Sequence, residues 1–90
     1  MGKMVGHYIQ SARESFGLDL GEVAFKMGLE ESDLERIEGG SRRISKHLIK
    51  PLSDALGIAP ENLIEEMLRE RRQHYLEIVN SEVLRGNQED

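Results

Sequence analysis

Leu18-Asp19-Leu20-Gly21-Glu22-Val23-Ala24-Phe25-Lys26-Met27-Gly28-Leu29-Glu30-Glu31-Ser32-Asp33-Leu34-Glu35-Arg36-Ile37-Glu38-Gly39-Gly40-Ser41-Arg42-Arg43 is the stretch that decides how this chain folds. Apolar side chains fall at Leu20, Val23, Ala24 and Met27, and again at Leu34 and Ile37. Steps of three and four put each set on one face of a helix. Between the sets, Gly28 is free to take positive φ, and Leu29 offers an apolar plug for the angle between two helices. Gly39-Gly40 closes the second set, because glycine suits a backbone that must turn left-handed. The spacing predicts two short helices joined at a steep angle by a tight turn.

That geometry is a helix-turn-helix. Around it stand Arg13, the run from Leu18 to Val23-Ala24, Gly28-Leu29, the run from Leu34 to Ile37-Glu38-Gly39-Gly40, and Leu56-Gly57-Ile58. With these the chain resembles the Cro/repressor-like helix-turn-helix family, often called XRE, over about residues 8–68. The family carries an arginine in helix 1, a Leu-x-x-x-x-Leu-Ala run in helix 2, a Gly-hydrophobic turn, an Ile-x-x-Ile-Glu-x-Gly recognition helix and a Leu-Gly-hydrophobic step before helix 5. The resemblance implies an all-α fold of five core helices, with helices 2 and 3 as the motif. It also implies that Arg13 pairs with Glu38 of the recognition helix.

Bulk composition bounds the rest. Ninety residues suit one domain with a small core. There is no cysteine, so disulfides and thiolate chemistry are excluded. No apolar run is long enough to span a bilayer, and the amino terminus lacks the apolar core of a signal peptide. A cytoplasmic protein with no membrane contact is expected. The formal net charge of −5 argues against loose attraction to DNA, so charge distribution matters more than its sum.

Taken in order, Met4, Val5, Tyr8, Ile9, Ala12 and Phe16 predict a first helix ending near Gly17. Asp19 is expected to cap helix 2, Ser32 to start helix 3 or sit early in it, and Ser45 to cap helix 4. Pro51 interrupts the run Ile44, Leu48, Ile49, Leu52, Ala55 and Leu56. An interior proline costs about 3 kcal/mol, so helix 4 is expected to kink near His47–Pro51 or to start late. Gly57 ends helix 4, and Pro60 opens helix 5, with Leu63, Ile64, Met67 and Leu68 inward. The organisation expected is a DNA-binding domain over 1–68, a helical extension over 69–85 and a disordered tail over 86–90. Residues 61–85 form either one long helix or two.

Catalysis finds no support. His7, His47 and His74 are far apart, no cluster has zinc spacing, and no glycine-rich phosphate loop follows a strand. Neither a metal nor a cofactor is expected. The first functional reading is sequence-specific binding of double-stranded DNA by a repressor-like transcriptional regulator. The resemblance puts base reading on Glu30, Glu31, Ser32, Asp33 and Arg36. Ser32 donates or accepts, Arg36 reaches guanine or a phosphate, and Glu31 accepts from a cytosine amino group. Phosphate contact falls to Arg42, Arg43 and Lys46, with Lys26 and Lys50 as lesser candidates. Leu20 stands where the family often has a glutamine, leaving the Gly21 N–H for the backbone.

One such domain buries too little DNA to be selective, so a homodimer on a palindromic operator is expected. The stripe Tyr75, Leu76, Val79 and Val83 is the candidate interface, unless that segment folds back over its own core. A second reading stays open. The acids Glu30, Glu31, Asp33 and Glu35 also suit a protein-interaction module, antirepressor-like or antitoxin-like, that binds a basic regulatory partner.

Overall fold

The three-and-four apolar spacing becomes five helices: α1 Lys3–Ser15, α2 Leu20–Met27, α3 Glu31–Gly39, α4 Lys46–Leu56 and α5 Pro60–Glu89. The computed structural model describes the backbone of residues 2–89 and the side-chain surroundings of residues 2–82. No strand occurs among the described residues, and the all-α, five-helix architecture expected from the sequence is the one observed.

Two turns depend on glycine. Gly28 takes φ 72°; its N–H donates to the Phe25 carbonyl and the Leu29 N–H to the Ala24 carbonyl, closing the end of α2, while the Leu29 side chain tucks half-buried against the core. Gly40 takes φ 84° at the end of α3, and a Cβ there would meet the Lys3 backbone N at 2.9 Å. The core is Val5 and Ile9 of α1, Val23, Ala24 and Met27 of α2, Leu34 and Ile37 of α3, Leu52 and Leu56 of α4, and Leu63 of α5. Each large aliphatic residue buried there contributes about 1.5–3 kcal/mol. α1 lies across α3, α4 and α5, α2 packs on α3 and α4, and α4 packs on α5.

Four expected core residues are not in the core. Phe16 follows the last turn of α1, where the chain bends away, and is exposed; Met4, in the first turn, is also largely outside. On α5 the inward row is Leu63, Met67, Glu70 and His74. Ile64 and Leu68 lie one residue further round, about 100° off that row, and face solvent.

Helix 4 is continuous across its proline. It starts at Lys46 and runs through Pro51 without a break to Leu56. The carbonyl that loses its donor is that of His47, an exposed residue, so water can replace the missing N–H. Ser45 occupies the cap position, but its hydroxyl makes no cap bond; Asp19 does cap α2, its carboxylate accepting from Gly21 N at 3.1 Å.

α5 is one helix. It passes the polar stretch 69–73 intact and continues to Glu89, so helical backbone occupies positions 86–89 where a disordered tail was expected. Asp90 lies outside the described residues. The boundary drawn after residue 68 falls inside this helix. Just past it, Glu70 Oε1 accepts from Gly2 N at 2.9 Å and from Met4 N at 2.8 Å, capping α1 from across the fold. Beyond Glu70 the helix leaves the body. From Arg71 to Glu82 only His74 is even half-buried, and the molecule extends to 56 Å in one direction against 24 and 23 Å in the others.

Candidate nucleic-acid interface

α3 is positioned by what it buries. Leu34 and Ile37 enter the core, and Glu38 lies beside them with only 7% of its side chain exposed. A carboxylate so deep needs a partner. Arg13 of α1 supplies a two-pronged one: Nε donates to Oε2 at 2.7 Å and Nη2 to Oε1 at 3.0 Å. Nη1 of the same guanidinium donates to the Leu18 carbonyl at 3.0 Å, tying in the loop before α2. The hydrogen bonds it donates to Glu38 raise the Arg13 pKa above its ordinary value, against the opposing effect of burial. Arg13 and Glu38 therefore fix the angle and register of α3, and neither is presented outward.

Turning about 100° per residue, α3 presents Glu31, Ser32, Glu35, Arg36 and Gly39 to solvent. Glu31 and Glu35 form one edge of this face and Arg36 the other. Asp33 lies half-buried beyond Arg36. The loop after α3 folds back on the helix end: Ser41 N and Arg42 N both donate to the Arg36 carbonyl, at 2.9 and 3.2 Å. This brings the cationic loop against the Arg36 edge.

The expected phosphate contacts are thus arranged unequally. Arg36 and Lys46 are exposed, and among the described residues neither has an ion-pair partner. Lys46 opens α4, a helix with no acid in its first turn, so a cation stands at the positive end of the helix dipole. Arg43 is exposed on the loop. Arg42 is different. Its Nη1 lies 3.0 Å from Asp33 Oδ1, and the pair is only partly exposed. Of the lesser candidates, Lys50 reaches Asp54 at 3.6 Å, one turn on in α4.

At the start of α2, the Gly21 N–H left for the DNA backbone is already donated to Asp19, the expected cap. A Cβ on Gly21 would find Asp19 Oδ2 at 3.2 Å and Glu31 Oε2 at 3.4 Å. Two of the chain's own carboxylates therefore cover the positive end of α2. Glu31 leans back on α2, whereas Ser32 stands on the open face.

Behind the loop, Arg42, Arg43 and Arg71 line a cavity of about 90 Å³ whose apolar wall is Val5, Ile37, Ile44 and Met67. Of the extension's stripe, Tyr75, Leu76 and Val79 are exposed and, with Leu68, edge an open groove; the Val83 side chain lies outside the described residues. No group of three or more His, Asp or Glu is placed to hold a metal among the described residues, and no described helix is long and apolar enough to cross a membrane. Sequence reasoning missed the Asp33–Arg42 pair and the Glu70 cap. Neither has a local spacing that would signal it.

Comparison with known proteins agrees with this geometry. A helix-turn-helix domain family model matches residues 5–67. Among solved structures, the restriction-modification controller protein C.AhdI from Aeromonas hydrophila is 33% identical, with TM-score 0.64 over 68% of this chain and 88% of that one. The clp gene regulator ClgR from Corynebacterium glutamicum shares the fold at 22% identity, with TM-score 0.68 over 91% of this chain and 87% of that one. So does a variant of the controller protein C.Esp1396I bound to its highest-affinity operator site, at 24% identity and TM-score 0.61 over 73% and 92% of the two chains. No curated protein matches in sequence. With its matched span, its two-helix motif and its Arg13–Glu38 brace, this chain belongs to the helix-turn-helix domain family, in its XRE-like branch.

Proposed function

We propose that this protein is a sequence-specific transcriptional regulator, repressor-like, that binds a palindromic operator as a homodimer in the cytoplasm. The observation that carries the reading is the open face of α3, Ser32 to Arg36, set beside the cationic loop that leads to Lys46. In this architecture the second helix of the motif enters the major groove and its amino-terminal residues meet base edges. Ser32 then reads bases, while Arg36, Arg43 and Lys46 neutralise phosphates. Three such contacts per subunit give a dimer a log–log salt slope of about −5. Two subunits are needed because one α3 reads only a half-site, and the stripe Tyr75, Leu76 and Val79 supports the pairing.

Selection of bound sites from a random duplex pool, using the full chain, tests this reading. Enrichment of a palindrome with half-sites about one helical turn apart is the expected result. Flat recovery at low salt from folded protein overturns it. A second reading draws on one observation: Glu30, just before α3, and Glu31 and Glu35 on it are exposed and suit a basic protein partner. Arg42→Glu with Arg43→Glu separates the two. DNA binding is lost under the first reading, and partner binding is unaffected under the second.

A further inference from the structure

We propose that Asp33 is a specificity-determining residue, because it couples base reading to the grip of Arg42 on the phosphate backbone. The inference rests on the DNA-binding reading above. Its basis is the ion pair at 3.0 Å between Arg42 Nη1 and Asp33 Oδ1, a pair that is neither fully exposed nor locked in the core. Asp33 belongs to the first turn of α3, the part that approaches base edges. Arg42 belongs to the loop pinned to the Arg36 carbonyl, on the side where phosphates are neutralised.

While the pair is closed, the two charges cancel. The acid does not repel DNA, and the guanidinium adds nothing to sequence-independent attraction. An aspartate opposite a cytosine or adenine amino group has a donor that only certain sequences provide. At such a base the carboxylate turns to the amino group, and Arg42 is released to a phosphate. On other sequences the pair stays closed. Arg36, three residues after Asp33 on the same side of the helix, has no such restraint and grips any duplex. The chain thereby holds one cation per subunit in reserve for the correct site, which suits a molecule whose net charge already discourages loose binding.

The test compares the full-length protein with Asp33→Asn, Arg42→Gln and the double variant. Binding to random duplex and to the selected operator is measured across a salt series, with a thermal melt to confirm the fold of each variant. With Arg42 unlatched, Asp33→Asn should bind random duplex about tenfold more tightly per subunit near 0.1 M salt and steepen the slope by about 0.9 per subunit. The operator-to-random ratio should fall accordingly. Adding Arg42→Gln should return random binding to the wild-type level, as a double-mutant cycle requires of a coupled pair. Two results overturn the inference and leave the DNA-binding reading intact: an unchanged slope in Asp33→Asn, or a gain that persists in the double variant and so reflects only the lost negative charge. If no variant and no wild-type protein shifts any duplex, the DNA-binding reading fails and takes this inference with it.

Discussion

At the scale of single residues, the fold turns on one buried charge pair. Replacing Arg13 with Met leaves the Glu38 carboxylate 7% exposed among Leu34 and Ile37 with no cation. The expected loss is about 3–5 kcal/mol by urea denaturation, most of it recovered when Glu38→Leu is added, since an apolar pair strands no charge. The pH dependence has a definite sign. Because the folded-state pKa of Arg13 is raised, its contribution is complete below the ordinary guanidinium range. It is lost only as pH rises through the still higher folded value. Titration of Arg13 therefore adds no slope to stability at any pH below about 12. Ser53 is the opposite case: fully buried, its Oγ has no hydrogen-bond partner among the described residues. Ser53→Ala should stabilise the protein by about 1 kcal/mol, seen as a higher urea midpoint with unchanged slope. Of these interactions, Arg13 with Glu38 was legible only through family resemblance, because 25 residues separate the partners. Asp33 with Arg42 was not legible at all. A helix pairs charges three or four residues apart, and this pair is made by a loop doubling back on the helix it leaves.

At the scale of elements, the motif could be read because its signals are local. Apolar residues three and four apart, Gly28 and Gly40 at the turns, and Pro60 at a helix start act within one or two turns of chain. What could not be read depends on where helices approach one another. Gly6, inside α1, is buried where α1 crosses α3. A Cβ there would press on the Glu38 carbonyl and lie 2.6 Å from the Ile37 carbonyl. Gly6→Ala should therefore cost about 2–3 kcal/mol despite the better helix propensity of alanine, and a urea titration would show it. Pro51 also depends on its surroundings: α4 accommodates it at a turn whose freed carbonyl belongs to an exposed residue. Pro51→Ala restores the bond to His47 and should raise stability by about 1–3 kcal/mol, with the melting temperature as readout.

At the scale of the whole molecule, α5 is the part the monomer does not account for. A helix of thirty residues is about 45 Å long, and among the described residues it is held by Leu63, Met67 and the Glu70 cap, all in its first third. The remainder exposes Tyr75, Leu76, Ile78 and Val79, each at least 40% open to solvent. A helical segment of this length with no packing partner is marginal in water. A second copy of the stripe would provide that packing and would also bring two α3 helices under one two-fold axis, as palindromic reading requires. Sedimentation equilibrium of the wild-type chain should then give twice its 10.2 kDa mass at micromolar concentration. Tyr75→Asp with Val79→Asp should give the single-chain mass, weaker helical circular dichroism from the unsupported end of α5, and an unchanged core. Operator affinity should fall at least tenfold in this variant, because the half-sites would have to be bound independently, while binding to an isolated half-site stays the same. A wild-type chain that sediments as a monomer with α5 fully helical would show that the stripe stabilises itself, and palindromic binding would then need another interface.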